Sequence, residues 1–406
     1  MSKLELPLNS SRSDRRLLIR PWVVVHLGSI LLFSLGSSII TPYFAIYVAK
    51  TLGYGLAFAG VLVSVKVVAQ RATSLLGGML TDMWGARPLA LAGVVLRLSA
   101  FALLLKTPTH TTLLASALLN GVGAAIYHPA LRKLLFEQFR NFPSALARVV
   151  GLRNVSLNLG AAVGPLLGAL LVESHFTLAC EVIVAVYAIN VGLLMFFRRS
   201  EVPLGLGSQS FRWRDLRSGA FLNTLWLQFG LFAAYSHFEF LMPFYFEQRF
   251  GSTFVAGAFL VNTVVVVSIQ LTCSKRIAET PAWVGYASFV GFFLCCAISS
   301  LGDGAFWQTS PAASMMLIGF SMTLFTVGEV LLGNRIDLMT TRIVSSRSTG
   351  TAFGAVAMVG ALAVVLSNGM NTYLLELKGF LIVWLVNAIV GLIFLVYSLR
   401  RARFDD

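Results

Sequence analysis

The sequence predicts an all-α membrane protein of twelve transmembrane helices in two six-helix bundles. Three observations predict it. Hydrophobic residues make up 57% of the 406 residues and charged residues only 12%, with a mean hydropathy of +0.80. A soluble domain carries about 25% charged residues, so the solvent for this much apolar surface is lipid. The apolar residues gather in twelve stretches, at 22–48, 56–79, 88–106, 110–131, 149–172, 176–197, 219–246, 253–274, 282–301, 309–333, 349–371 and 379–399. The basic residues gather in alternate connections between them.

Each stretch is long enough to cross a hydrocarbon core of about 30 Å at about 1.5 Å per residue. Backbone polar groups in lipid must be satisfied within the segment, which selects helices. Barrel strands would alternate in polarity over about ten residues, and these stretches do not. Residues 1–20 are polar and basic, and the apolar stretch after them is longer than the apolar part of a cleavable signal. It is therefore expected to be the first span.

Charge gives the orientation. Of the 31 Lys and Arg residues, 23 fall in the two tails and the connections that share their side. Four (Lys50, Lys106, Arg249 and Lys378) fall on the other side, and Lys66, Arg71, Arg97 and Arg153 lie inside spans. The positive-inside rule then places both termini in the cytoplasm. The same distribution explains the net charge of +14 without a nucleic-acid partner.

The longest connection on that side, 198–218, is enriched in Gly, Ser, Pro and Arg. It divides the chain into an N-terminal bundle with its tail (1–197), a linker (198–218) and a C-terminal bundle with its tail (219–406). Paired six-helix halves are a common transporter plan, with the substrate site near the midplane. A faint repeat accompanies the division: Val122-Gly123 in span 4 and Val327-Gly328 in span 10.

After span 2 the sequence runs Gly78-Met-Leu-Thr-Asp82-Met-Trp-Gly85-Ala-Arg87-Pro88-Leu-Ala-Leu91. Gly78 permits close packing at a helix end, Gly85 a tight turn, and Pro88 suits a helix start. Asp82 is suited to a helix N-terminus, where negative charge is favourable. The segment resembles the signature between helices 2 and 3 of the major facilitator superfamily, matching at Gly78, Leu80, Asp82, Gly85, Arg87, Pro88 and Leu91. That resemblance implies the fold of the superfamily and makes Gly78, Asp82, Gly85 and Arg87 a conformational latch. Arg132, after span 4, is the expected cation for Asp82. Met83 and Ala86 depart from the usual basic residues, so the charge network is expected to be thinner.

In span 5, Gly160, Gly164 and Gly168 recur every four residues, with Pro165 among them. Glycines at this spacing make one smooth face on which a neighbouring helix can lie closely. The pattern resembles the helix-5 motif of the drug:proton antiporter branch, with Ala169 in place of a usual glycine, and implies an exporter that exchanges substrate for protons. Span 4 carries Asn120-Gly121-Val122-Gly123, like the family's helix-4 motif. The arginine implicated in proton transfer there is Ala117 in this chain, so the proton must find another group.

Charges within a bilayer are costly and usually face a cavity or a partner. Glu239 in span 7 is the first candidate for proton coupling, since Gln228 and Tyr235 share its helix face. Glu329 in span 10 is the second, and Glu181 at the end of span 6 is expected to be structural. Lys66 and Arg71 in span 2 lie about 140° apart around the helix and cannot share one narrow face. Arg153, Asn154 and Asn158 open span 5. With Tyr127, Gln228 and Tyr235, these residues are the candidates for a substrate cavity suited to anionic or zwitterionic molecules. Arg97, central in span 3, is expected to be structural.

No phosphate-binding Gly-Lys-Ser/Thr loop, His-Glu-x-x-His or Gly-x-Ser-x-Gly motif occurs, so neither direct ATP drive nor a familiar enzyme chemistry is expected. Cys180, Cys273, Cys295 and Cys296 lack metal-site spacing. The expectation is a monomeric secondary transporter of the bacterial cytoplasmic (inner) membrane, whose partners are a small molecule, protons and the lipid bilayer, with no cofactor or metal. Its task is expected to be proton-coupled export of a drug-like compound or a carboxylate metal chelator such as a siderophore. The alternative is a uniporter or proton symporter for a small anionic nutrient.

Overall fold

The computed structural model describes residues 20–105, 108–172, 176–196, 216–250, 252–277, 279–301 and 310–405. Most of the expected linker, 198–215, lies outside them, as does Lys106. All regular structure among the described residues is helical. The chain forms two compact units. The first comprises Met1–Arg212 with Ser345–Gly354, and the second Trp213–Val344 with Ala355–Asp406.

In the first unit, α1 (Pro21–Ile46) starts on a proline whose fixed φ suits a first helical position. It runs on into a π-helical turn at Tyr47–Thr51. The expected second span is two helices, α2 (Gly55–Ala72) and α3 (Ser74–Trp84), bent by 44° at Thr73. The hydroxyls of Thr73 and Ser74 donate to the carbonyls of Ala69 and Arg71 at 2.6 and 2.8 Å, a competition that bends helices. Gly85, at φ 95°, adopts the left-handed backbone that separates α3 from α4 (Ala86–Ala102). Then follow α5 (His110–Phe136), opened by a capping box between Thr109 and Thr112, α6 (Pro143–Val172) and α7 (Phe176–Phe196).

The second unit holds α8 (Gly219–Ser236), which passes through a π-helical turn at His237–Leu241 into α9 (Met242–Phe250). It also holds α10 (Ser252–Ile277), α11 (Ala282–Leu301) and α12 (Pro311–Ile343). The last element, α13 (Thr349–Asp405), is two helices joined at Gly379, where φ is 76°. It therefore accounts for the two spans expected at 349–371 and 379–399. Six of these helices are each long and apolar enough to cross a membrane, and the bent α2–α3 pair makes a seventh. Within the described residues, each of the twelve expected stretches lies mainly on helix; residues 106, 197 and 309 at their ends fall outside the described residues.

Helices in lipid gain no hydrophobic drive from meeting one another, so close van der Waals fit at small residues holds them. The repeat seen in the sequence marks such fits. In the first unit a Cβ on Gly123 would come within 2.7 Å of the Gly93 carbonyl oxygen of α4. In the second, a Cβ on Gly328 would come within 2.8 Å of the Gly285 carbonyl oxygen of α11. The helix-5 glycines work the same way in the first unit. Cβ atoms on Gly160, Gly164 and Gly168 would run into α1 at Leu31–Leu35, Ser38–Ile39 and Ile39–Tyr43. Tyr43 then closes the end of this contact, its hydroxyl donating to the Pro165 carbonyl at 2.9 Å.

Candidate functional site: polar centres within the two units

The first unit places Asp82 at the start of α13. One carboxylate oxygen accepts from Lys133 Nζ at 2.5 Å and the Gly350 N–H at 2.9 Å. The other accepts from the N–H and the hydroxyl of Thr351, both at 2.7 Å. These are among the N–H groups that a helix N-terminus leaves without intrahelical partners, and a carboxylate there also meets the positive end of the helix dipole. The Asp82 side chain is 1% exposed and Lys133 9%, so neither charge is shared with solvent. Gly78 makes the approach possible, since a Cβ there would collide with the backbone of Gly350 and Thr351.

The cation on Asp82 is thus Lys133, not the expected Arg132. Neighbouring positions on a helix point about 100° apart, and Arg132 instead lies over the Phe353 ring, 5.2 Å from its centre. Arg87 is not in this cluster either. Its guanidinium donates to the carbonyls of Leu194 and Met195 near the end of α7, at 2.9–3.2 Å.

A second carboxylate, absent from the sequence expectations, reinforces the first. Glu137 pairs with Arg140 and accepts from Ser346 Oγ at 2.8 Å and from the Thr349 hydroxyl. Arg140 also donates to Thr349 at 2.9 Å. The Glu-x-x-Arg spacing was legible as a helix pair, but its partners around residue 349 were not.

The substrate-cavity candidates of this unit divide. Lys66, Arg71, Asn154 and Asn158 are part-exposed. Lys66 Nζ lies 3.5 Å from the Thr41 hydroxyl. Arg153 is buried and donates to Asn154 at 2.8 Å, while Asn158 donates to the Asn154 carbonyl at 2.9 Å. Tyr127 is fully buried, stacked on Phe33 with ring centres 3.7 Å apart and sharing a 2.9 Å hydrogen bond with Ser29. That ring is committed to packing. Arg97 is buried beside it, its guanidinium 4.3 Å above the Phe33 ring and 2.9 Å from the Tyr187 hydroxyl.

In the second unit, Glu239 falls in the π-helical turn after α8, and its side chain lies outside the described residues. Gln228 is buried against Gly360, and Tyr235 packs among Phe232, Phe238 and Phe325. Glu329 has a defined setting. Asn262 of α10 donates to its carboxyl at 3.1 Å and to the Thr326 hydroxyl, one turn earlier on α12, at 2.9 Å. Two turns further along, Gln270 and Asn334 exchange hydrogen bonds of 3.1 and 2.8 Å between the same two helices. Glu181 is exposed on α7. Asn262 is an addition that no spacing in the sequence announced.

This helical plan, with an aspartate from the α3–α4 signature seated on a helix start, defines a membrane transporter. The family model of the Major Facilitator Superfamily matches residues 27–334, and the chain belongs to that superfamily. It is 24% identical to the multidrug resistance protein MdtH of Aeromonas hydrophila, over 89% of this chain and 90% of that protein. It is equally 24% identical to an uncharacterized MFS-type transporter of Mycobacterium tuberculosis, over 82% of this chain and 81% of that one. In structure it is similar to the human organic anion transporter MFSD10 (TETRAN), with a TM-score of 0.73 at 18% identity, covering 94% of this chain and 99% of that one.

Proposed function

We propose that this transporter exports small organic molecules in exchange for protons, by alternating access across the bacterial inner membrane with both termini in the cytoplasm. The observation that carries the export reading is the similarity to a multidrug resistance protein along nine-tenths of both chains. The glycine face by which α6 lies on α1 supports the antiporter branch, whose helix-5 motif it resembles.

Glu329 is the group we assign to proton coupling among the side chains described. A carboxyl inside a bilayer is tolerated far better neutral than charged. Asn262 and Thr326 give this one a polar setting in which it can exist in either form. Protonation would favour one conformation of the transporter and release the other. Glu239 remains the second acid of this proposal. The part-exposed Lys66, Arg71, Asn154 and Asn158 contribute positive charge and amide donors for a substrate with a carboxylate, which extends the substrate range from drug-like compounds to chelators of the siderophore type.

The test is proton flux in liposomes carrying the purified protein under an imposed pH gradient, with cationic drugs and carboxylate chelators as substrates. Substrate-dependent flux opposite to the substrate, lost in Glu329→Gln, is the expected result. Flux in the substrate's own direction overturns export in favour of symport of an anionic nutrient. Flux that survives Glu329→Gln but not Glu239→Gln moves the coupling acid to α8's π-turn.

A further inference from the structure

His237, Asn371 and Asn387 form a hydrogen-bonded chain inside the second unit, with exposures of 0%, 1% and 4%. Both ends of the chain rest on backbone carbonyls, and this determines where each hydrogen lies. Asn387 Nδ2 is 2.7 Å from the Val383 carbonyl and 2.8 Å from Asn371 Oδ1. A carbonyl only accepts, so Asn387 presents its NH2 and Asn371 meets it with oxygen. Asn371 therefore turns its own NH2 to His237 Nε2, 3.0 Å away. On the far side of the ring, Nδ1 lies 3.1 Å from the carbonyls of both Ala233 and Ala234 and must carry the hydrogen. The imidazole is the neutral Nδ1–H tautomer, with both nitrogens satisfied.

A proton can then enter only at Nε2, where it meets another donor. To receive it, Asn371 must turn its amide so that its oxygen accepts from the ring. Its NH2 then faces the NH2 of Asn387, which must turn in its place and bring its oxygen against the Val383 carbonyl. One proton is taken up from solution, one N–H bond forms at Nε2, and the ring gains one positive charge. The event begins in the π-helical turn after α8 and ends on α13 beyond Gly379, because Asn371 and Asn387 stand on opposite sides of that break. π-Helical turns inside helices are frequently found at functional sites.

The imidazole is wholly buried, and its neighbours are aromatic and polar. Phe293 of α11 meets it edge-on at 4.7 Å, and Trp384 of α13 lies 5.8 Å away. Ser236, its neighbour on α8, is 3.4 Å from Nδ1 and donates to Ala233. Among the described residues no charged side chain acts on the imidazole; Glu239 follows in the same turn with its side chain outside them. A small, mainly apolar cavity that includes Ala233, Ala234 and Phe293 reaches Asn387 but is not lined by His237 or Asn371.

We infer that His237 is a proton-binding site distinct from Glu329, and that Asn371 and Asn387 convey its protonation from α8 to both parts of α13. This extends the proton-coupled reading without depending on it, because the site has its own optical reporter. An imidazolium this close to Trp384 quenches indole fluorescence.

The experiment titrates the intrinsic fluorescence of the purified protein from neutral pH down through the acid range in which it stays folded. Subtraction of the Trp384→Phe protein isolates the Trp384 signal. The expected result is a one-proton change in that signal, absent from His237→Gln. In Asn371→Asp, which sets a carboxylate against Nε2, the midpoint moves up by about 1–3 pH units. A Trp384 signal that does not titrate overturns the proposal, as does a midpoint unchanged in either variant. If His237→Gln fails to fold, the wild-type titration and Asn371→Asp decide. Failure of proton-coupled transport in liposomes with the titration intact removes the coupling reading and leaves the proton site standing.

Discussion

In the first unit the polar contacts that stand out carry charge. Asp82 meets Lys133, Glu137 meets Arg140, and Arg97 lies over Phe33. Among the described residues of the second unit, uncharged groups form the Gln270–Asn334 pair, the Asn262–Thr326 bond and the His237–Asn371–Asn387 chain, beside the carboxyl of Glu329 and the buried Asp337. The difference is one of reversibility. A buried ion pair is worth little against an apolar replacement, yet removing one member strands the other charge, so it holds its elements in one arrangement. An amide chain can turn donor for acceptor in place without stranding a charge, although in the His237 chain the turned state sets the Asn387 oxygen against the Val383 carbonyl. Ionic contacts hold the segment around residue 350, and amide pairs join helices of the second unit.

The largest test of this contrast is Asp82→Ala. It leaves the Lys133 ammonium and the Gly350 and Thr351 N–H groups without their acceptor, at a cost of about 3–5 kcal/mol. A steep drop in folded yield and melting temperature in detergent is the expected readout, with Asp82→Asn milder. A variant as stable as the parent would remove the ionic anchor from the comparison.

Next comes packing rather than charge. In Gly164→Ala the new Cβ falls 2.5 Å from Ser38 Cβ and 2.8 Å from its backbone carbon, whereas one on Gly192 meets nothing within 4 Å. Gly164→Ala should lower stability by about 1–3 kcal/mol, while Gly192→Ala changes the melting temperature little. Equal effects would mean that the α1–α6 contact is looser than the structure has it.

The amide side is probed by Asn334→Leu, which deprives Gln270 of its partner and should cost about 1–2 kcal/mol. The double variant Gln270→Leu/Asn334→Leu should recover part of that loss, because neither amide is then left unmatched. A double variant no better than the single would place these amides with the ionic pairs in behaviour.

The smallest effect is expected at Arg132→Ala. Loss of its contact with the Phe353 ring should cost about 0.5–1 kcal/mol, far less than the loss of Lys133 beside it. A larger penalty at Arg132 than at Lys133 in parallel melts would reverse the assignment of the Asp82 cation.

Much of this was legible in the sequence. The helical spans, the signature at Gly78–Leu91 and the glycine face of span 5 are local patterns, and each carries its own physical meaning. The Val-Gly repeat suggested only a division into halves; its packing partners, Gly93 and Gly285, came from the structure. Less legible were Lys133, Glu137, Asn262 and the pairing of His237 with Asn371. Their partners lie tens to hundreds of residues away, and nothing in the local pattern distinguishes Arg132 from Lys133 as a ligand for Asp82.

By itself the sequence determined that this chain lives in lipid, that it crosses as helices, and that it belongs to a family of transporters. The first two follow from composition and from spacing that repeats every few residues, and the third from the resemblance carried by the Gly78–Leu91 signature. The tertiary structure alone decided which cation meets Asp82, which acid anchors Thr349, and which hydrogen the His237 ring carries. The physical reason is distance along the chain. A hydrogen bond acts over about 3 Å, and only the packing of helices decides which distant side chains come that close.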